Sequence, residues 1–542
     1  MGSIGDKEGS ASGSAKSSGP GAGPGAGSGG DAADPPPPSD NVIDVAIWPR
    51  MIEAGATHLT PSTASELCRR ISLDLTGAIP TEAEAKASCE GKTAAEMAEA
   101  FFASPGFIAR EQKLWMQHLR VDPTKTLADD LVDADGIIAS LAKGEIGYDD
   151  FAAKILAHPA GAMNRRIDAP HLEDTAIGAF RVFLGRAPLG NEATDLVNLF
   201  RVWRRDWDGK YELGYGYYVY FAVLDPGACT TEVYGPAACT SDEIGPTTVM
   251  SIPLASPTEY LGLHGSVPAD LQLELEKPGR LLAQRDEFWE EAADHALARL
   301  LGWWKSSAAE PDTVVPEVRT ALAQWFHEQP GHDVRDLYTE IITSLLYTTS
   351  AEVADETEAD APPWTMGPTK AMDSTQFLDS LEKALGRELG FCDIHTDEPI
   401  GRNFYFPDRL RQPQPDDFYG FGSDFYLEYG QTLGGCLGGV AEPSQPGMPA
   451  LFAHIEVADA LCGAPSEIAP AGFDTADMST SNIDALTNFQ FQRFLQRAPE
   501  PSEKDAVDAA TEACLADSAC GMDGLEVQLC GALLRSGAFL FY

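Results

Sequence analysis

A short motif that ends one helix and begins the next recurs three times, and it restricts the fold more than any other feature of the chain. Each copy runs from a leucine to a proline, with a glutamate four positions later: Leu75, Pro80 and Glu84; Leu184, Pro188 and Glu192; Leu495, Pro499 and Glu503. Proline stops a helix, and an acid in the first turn favours the next one. Gly77 and Gly185 suit the left-handed position at a helix end, and Thr81 with Glu84 forms a capping box. The irregular spacing indicates a reused helix corner and not a solenoid.

Helical periodicity covers most of the chain and predicts a mainly α, multi-domain protein with a small β insertion and a loop-rich C-terminal region. Its 542 residues are enough for two or three hydrophobic cores. The predicted organisation is a disordered Gly/Ser/Pro leader (1–41), a helical domain (42–200), a β insertion (201–260), a helical region (261–350), an acidic linker (351–363) and a loop-rich and helical C-terminal domain (364–542).

The charge balance restricts the partners. The chain has 38 basic and 83 acidic residues, a net charge of -45, and such a field repels phosphate backbones and anionic lipid headgroups. We therefore expect no nucleic-acid partner. No apolar run reaches the roughly 18 residues of a membrane-spanning helix, so we also expect no transmembrane span.

The leader and the cysteines both favour export. Residues 1–40 lack the apolar core of a signal peptide and are similar to the tether of a mature bacterial lipoprotein, whose lipidated cysteine would lie upstream of residue 1. We thus expect an extracytoplasmic protein, at the cell surface or as an outer-membrane lipoprotein. Ten cysteines form an even set without a C-x-x-C pair. The candidate disulfide cysteines are Cys68, Cys89, Cys229, Cys239, Cys392, Cys436, Cys462, Cys514, Cys520 and Cys530. Cys229 with Cys239 is the favoured pair; buried reduced thiols are the alternative.

The run from Cys68 through Arg69, Arg70 and Asp74 to Glu84 resembles the opening of a bacterial family of unknown function, often found beside planctomycete-type cytochrome c modules. The resemblance covers about residues 60–200. In many family members a Phe-Leu-Gly phrase precedes a C-x-x-C-H element. Here residues 183–185 are followed by 186–192, which contain neither cysteine nor histidine, so the resemblance implies no haem ligation. Residues 364–370 and 390–393 resemble uncharacterised bacterial surface lipoproteins, and neither resemblance implies an activity.

Several short patterns imitate metal or catalytic sites. His327 and His332 are five positions apart with Pro330 and Gly331 between them, which indicates a helix end and not a zincin site. Glu291 and His295 share a helix face, and we interpret them as a surface pair. Residues 133–136 imitate a calcium loop but are better interpreted as a helix start, and for Cys392 beside His395 we favour a disulfide over a nucleophile.

Two aromatic, acid-rich segments are the best candidates for ligand contact. Flat aromatic faces stack on sugar rings, and neighbouring carboxylates bind hydroxyl groups or calcium. The candidate residues are Tyr215, Tyr217, Phe404, Phe406, Phe418, Tyr419 and Phe425. An ordinary aromatic core beneath long loops is the alternative.

No catalytic residue emerges from these patterns, so whether the chain is an enzyme stays open. The first hypothesis is an exported, non-catalytic binding or scaffold component with a protein or glycan partner. The alternatives are a secreted enzyme acting on a polysaccharide or another polymer, and an accessory of an electron-transfer assembly. No bound cofactor or metal is expected, because C-x-x-C-H is absent and the histidines are scattered; His118 fits a hydrogen-bonded core residue.

Protein secreted or refolded under oxidising conditions is expected to show few or no reactive thiols after unfolding, since the cysteines are predicted to be paired. Thiol titration in denaturant measures this directly. Ten reactive thiols would contradict the prediction.

Overall fold

The computed structural model describes most of the chain from residue 37 onward. The described residues are 37–56, 59–119, 131, 134–157, 172–197, 203–208, 217–222, 250–253, 269–303, 315–350, 367–386, 391–393, 398–400, 458, 461–462, 468–470, 473–477, 479–516 and 520–542. The predicted leader, the linker and most of the loop-rich segment lie outside them. The domain boundaries therefore stay a prediction.

Helices account for most of the described residues, which confirms the mainly α fold class. The first group is α1 (Val42–Glu53), α2 (Ala64–Thr76), α3 (Glu82–Ser88), α4 (Ala94–Phe102), α5 (Pro105–Leu119), α6 (Ile137–Ala142), α7 (Tyr148–Ala157), α8 (Leu172–Phe183) and α9 (Glu192–Val197). The second is α10 (Ala269–Leu282), α11 (Asp286–Leu301), α12 (Pro316–Glu328), α13 (Val334–Ile342) and α14 (Leu345–Thr348). The third is α15 (Ser374–Leu385), α16 (Thr480–Leu495), α17 (Pro501–Ala516), α18 (Gly521–Arg535) and α19 (Gly537–Leu540).

Two small antiparallel sheets lie among these helices. Strands β1 (Trp203–Asp208), β2 (Tyr217–Ala222) and β3 (Met250–Pro253) pair in sequence order within the segment predicted as the β insertion. Strands β4 (Phe391–Asp393) and β5 (Glu398–Ile400) form a separate hairpin-like pair.

The repeated motif forms helix corners, as its residue types predict. Gly77 and Gly185 have positive φ angles of 77° and 63°, and Thr81 with Glu84 makes the predicted capping box. In the third copy Gln496 takes the left-handed position with φ of 57°. A non-glycine residue there is strained, so its side chain must have a use elsewhere.

The second and third corners share their contacts almost atom for atom. The guanidinium of Arg186 donates to both carboxylate oxygens of Glu192, at 2.7 and 3.1 Å, and Arg497 does the same to Glu503 at 2.5 and 2.7 Å. Each arginine also lies over a phenylalanine ring six residues earlier, Phe180 or Phe491. The arginine and the glutamate of the R-A-P-x-x-x-E string thus form a bidentate ion pair within one corner.

The apolar side chains form two separate cores. The first joins α1 to α14, so segments predicted as two helical regions share one interior. The second is built from α15 to α19 together with Leu73 and Ile79. Helix α2 serves both, because Ile71 and Leu75 pack in the first core while Leu73 packs in the second.

Among the described residues, six cysteines form three disulfide bonds. Cys68–Cys89 joins α2 to the end of α3, Cys462–Cys530 anchors α18, and Cys514–Cys520 spans the turn between α17 and α18. The favoured Cys229–Cys239 pair and Cys436 lie outside the described residues. For Cys392, in β4, the predicted pairing stays a prediction.

Replacing both cysteines of a described disulfide by alanine is expected to lower the free energy of unfolding. The loss should be largest for the disulfide that closes the longest loop. The loops span 68 residues for Cys462–Cys530, 21 for Cys68–Cys89 and 6 for Cys514–Cys520. Chain entropy alone gives losses of about 4, 3 and 2 kcal/mol in that order. Urea unfolding under non-reducing conditions measures the ranking, and equal losses would refute it.

Candidate functional site

Helix α2 concentrates the charged residues of the motif in the interior. Its N-cap Thr63 and its C-terminal Gly77 fix the helix length, and Arg69, Arg70 and Asp74 are 6%, 1% and 2% exposed. Charged side chains are rarely buried to this extent unless they are paired. Their partners therefore define what the motif does.

Arg70 holds the end of α14, in the first core. Its guanidinium donates to the carbonyls of Tyr347 and Thr349 and to the carboxylate of Glu66 at 2.7 Å, and it lies over the Tyr347 ring. Directly after α14 the chain pairs as an antiparallel bridge, Pro61 with Thr349. Arg70 thus satisfies carbonyls that a helix end leaves without an intrahelical donor.

Arg69 makes the corresponding contacts in the second core. It donates to the carbonyls of Phe494 at 2.8 Å and Phe539 at 2.9 Å and to the side-chain oxygen of Gln496 at 2.5 Å, and its guanidinium lies over the Phe539 ring. Burial lowers the pKa of Arg69 to about 9. The contact with Gln496 is the use that the strained corner residue serves.

The two short helices that the arginines hold are equivalent. Helix α14 follows the N-cap Ser344 and α19 follows the N-cap Ser536, and in each the hydroxyl accepts from the amide three residues on, that of Tyr347 or Phe539. A bridge follows both: Thr349 with Pro61, and Phe541 with Ala371. Adjacent residues of α2 therefore fasten matching ends of the two cores.

Asp74 joins these ends through its carboxylate. It accepts hydrogen bonds from the hydroxyls of Tyr347 at 2.7 Å and Tyr542 at 3.0 Å, and it pairs with the ammonium of Lys370. Lys370 also donates to the carbonyls of Arg299 and Leu300, both at 3.0 Å. Burial lowers the pKa of Lys370 to about 8, although Asp74 favours its charged form.

Further buried ion pairs extend this layer between the cores. Arg299 donates to the Asp74 carbonyl at 2.9 Å and pairs with Glu111, and Arg110 pairs with Asp373 at 2.8 Å. Burial opposes the ionisation of Asp373, but Arg110 and Lys113 outweigh it and lower its pKa. We call Arg69, Arg70, Asp74, Glu111, Arg299, Lys370 and their tyrosine partners Tyr347 and Tyr542 the interlock. Every ionic side chain in it has a protein partner, so the interlock connects the two cores through paired buried charges.

Two histidines lie in the first core, beside the Phe-Leu-Gly segment at residues 183–185. The rings of His118 and His295 are 4.5 Å apart and both contact Trp115, and His118 Nε2 lies 3.2 Å from the Val182 carbonyl oxygen. The expectation of a core, hydrogen-bonded His118 is confirmed. Burial lowers the pKa of His295, and His118 and Arg299 lower it further, so this imidazole is neutral at pH 7.

The interpretation of Glu291 and His295 as a surface pair was wrong for the histidine, because α11 turns that side chain toward Trp115. The carboxylate of Glu291 lies against Gly185, where an added Cβ would be 1.9 Å from Oε2. Glycine suits this corner because of its left-handed backbone, and a larger residue would in addition require the Glu291 side chain to shift.

The other imitation motifs are structural. Helix α12 ends at Glu328, and His332 has a φ of 46° and an Nδ1 atom 2.9 Å from Asp149 Oδ1, as expected for a helix end. Gly136 is the N-cap of α6, so residues 133–136 do precede a helix start. Within the described residues no group of three His, Cys, Asp or Glu side chains is placed to hold a metal ion.

The predicted ligand-contact aromatics are untested by this structure. Tyr217 begins β2, and the other six, Tyr215, Phe404, Phe406, Phe418, Tyr419 and Phe425, lie outside the described residues. Among the helices that are described, none combines the length and apolar character needed to cross a membrane.

The segment that holds α2 has a recognisable relationship. Residues 42–177 match the family model PSCyt2, described as a protein of unknown function (DUF1549). This supports the resemblance to a family of unknown function. No curated protein and no solved structure matches the chain. The matched segment contains Arg69, Arg70 and Asp74, whereas their partners from Arg299 to Tyr542 lie beyond it.

Sequence reasoning found the three motif residues but not what they bind. Lys370, Arg299, Tyr347 and Tyr542 are 225 to 468 positions away from Asp74. A lysine next to a proline-threonine pair has no local pattern that marks it as buried. The signal that the sequence did offer was the pair of adjacent arginines in a helix whose other residues are mostly buried. Buried guanidinium groups need hydrogen-bond acceptors, and these can come from distant parts of the chain.

Replacing Lys370 by Met is expected to destabilise the protein by about 3–5 kcal/mol, because it leaves Asp74 buried without its cation. Combining Lys370→Met with Asp74→Asn should cost less than the sum of the single losses, since the pair then disappears together. Chemical denaturation of the four proteins measures the coupling.

The exposed pair Arg50–Glu317 provides the matched control. Its side chains are 42% and 56% exposed, so Glu317→Gln should cost below about 1 kcal/mol. Strictly additive losses at Asp74 and Lys370 would show that the interlock is not a coupled unit.

Proposed function

We propose that this chain is an exported, non-catalytic binding or scaffold component of the cell surface or the outer membrane. The interlock is the observation that carries the proposal. In the interlock, the charged residues of the α2 motif connect the two cores. A scaffold needs its cores in one fixed arrangement, because it must present binding surfaces at a constant distance from each other.

The disulfides support the extracytoplasmic part of the proposal. The described residues contain three disulfide bonds, and bonds of this kind persist in oxidising compartments. The leader of residues 1–41 would tether the folded part, with a lipid anchor supplied by a cysteine upstream of residue 1.

The proposed partner is a protein or a glycan. The candidate aromatics on residues 215–217 and 404–425 remain the proposed contact residues for a glycan, because their rings can stack on sugar faces. The acidic surface, with a net charge of -45, favours a neutral or basic partner over an anionic one.

A second candidate function is an accessory of an electron-transfer assembly. The PSCyt2 match favours it, since the family name refers to an association with cytochrome c modules. In that case the haem would belong to the partner, because this chain contains no C-x-x-C-H string.

Full-length protein purified from an oxidising compartment is expected to show no Soret band and no near-stoichiometric transition metal. The reason is that neither the sequence nor the described side chains supply a converging ligand set. Absorption spectroscopy and elemental analysis measure both. A Soret band, or near-stoichiometric iron, copper or zinc, would overturn the scaffold proposal in favour of redox or metal chemistry.

Crosslinking on intact cells with a membrane-impermeant reagent separates the remaining possibilities. Recovery of crosslinks to envelope proteins supports an exported scaffold, and a c-type cytochrome among them favours the electron-transfer accessory. Absence of labelling on intact cells while the lysate is labelled would contradict the surface location. Release of new reducing ends from polysaccharides by the purified chain would establish the enzyme instead.

A further inference from the structure

The C-terminal helices α16, α17 and α18 each contribute one buried oxygen that lacks a hydrogen-bond partner among the described residues. The atoms are Gln490 Oε1, Thr511 Oγ1 and Glu526 Oε1. The three residues are 0%, 7% and 1% exposed, so water does not replace the missing partners at the surface. Buried polar oxygens without donors cost free energy and call for an explanation.

Gln490 and Glu526 meet at one interface between helices. Gln490 Nε2 donates to the carbonyls of Ile468 at 3.1 Å and Glu526 at 3.2 Å, so one side chain links α16, α18 and the segment at residue 468. Thr511 lies on α17, five residues before the end of that helix at Ala516.

Glu526 differs from the other buried carboxylates of the described chain. Asp74 and Glu111 each face a cation, Lys370 or Arg299, and Asp44 accepts hydrogen bonds from the Ser39 hydroxyl and the Leu345 amide. Burial, together with the nearby carboxylate of Asp523, raises the pKa of Glu526 to about 7. Burial and the negative charge of Asp523 therefore both oppose the ionisation of Glu526.

Neighbouring elements offer Glu526 no compensating cation in the described part of the chain. On α16, Arg493 donates to the Ala384 carbonyl and Asp484 pairs with Lys504 of α17. The other ionisable residues of α17 are acids, Glu503, Asp505, Asp508 and Glu512, of which Glu503 pairs with Arg497 of the corner. Arg535 lies at the far end of α18, α19 has no ionisable side chain, and Cys462 is in a disulfide.

We propose that Glu526 is a pH-responsive lock for the α16–α18 interface. When the carboxyl is protonated, the Glu526 side chain carries no charge and the interface is closed. When the proton leaves to solvent, an unbalanced negative charge and an oxygen without a donor remain inside, and the interface opens.

The sign of the pH dependence follows from the raised pKa. An acid whose pKa in the folded state exceeds its unfolded value of 4.5 contributes stability that is complete below pH 4.5. That contribution is lost as the pH rises through about 7. The lock is thus closed in mildly acidic surroundings and weakened in neutral to alkaline ones.

Opening of the α16–α18 interface would expose the disulfide that anchors α18. Cys530 is one turn after Glu526 on the same face of α18, and both Cys530 and its partner Cys462 are at most 1% exposed. Reducing agents therefore reach this bond only through the opening that the lock controls.

Hydrogen exchange of the full chain, corrected for intrinsic rates, at pH 5.5 and pH 8.0 tests the proposal. Wild-type α18 peptides are expected to open at least about tenfold more at pH 8.0, relative to α12 peptides as an internal reference. Glu526→Gln keeps the shape without the charge and should abolish the difference. Glu512→Gln, an exposed acid of α17, should retain it.

The rate at which a phosphine reduces Cys462–Cys530, followed by mass spectrometry, gives an independent measurement. It should rise with pH in wild type and in Glu512→Gln but not in Glu526→Gln. A wild-type α18 whose exchange and reduction rates do not depend on pH between 5.5 and 8.0 would overturn the proposal, as would an unchanged dependence in Glu526→Gln.

Discussion

Two hydrophobic cores meet in this chain across a layer of buried charge, and the carboxylate of Asp74 is the centre of that layer. It binds Lys370 and the hydroxyls of Tyr347 and Tyr542, which come from both cores. Removing such charges from water is costly, so the layer adds less net stability than apolar packing of the same volume would. What it provides is a defined relation between the cores, because each hydrogen bond is satisfied in one arrangement only. We regard this geometric role as the reason that the charges are tolerated.

The adjacent arginines also connect the two cores, through hydrogen bonds to backbone carbonyls. Arg69 and Arg70 are neighbours on α2, yet they hold equivalent short helices at the ends of the two cores. The corners with Arg186 and Arg497 show a second equivalence. They differ at the left-handed position: Gly185 lies against Glu291, whereas the side chain of Gln496 accepts a hydrogen bond from Arg69. A sequence pattern that insists on glycine at this corner would find the first and overlook the second.

Local features were predictable from the sequence because their causes are local. The capping box of Thr81 with Glu84, the left-handed Gly77 and the helix end before His332 depend on residues within one or two turns. The interlock could not be predicted, since nothing near Lys370 or Tyr542 in the chain indicates a partner in α2. His295 shows the intermediate case: its spacing placed it on a helix face, but only the packing of α5 against α11 shows that this face is inside.

The distances along the chain within the interlock bear on how the protein is made. Asp74 is separated by 296 residues from Lys370 and by 468 from Tyr542, so a growing chain presents α2 long before these partners exist. Until then, burying the charges of Arg69, Arg70 and Asp74 would cost free energy that no partner offsets. The interlock can therefore close only after Tyr542 has been made.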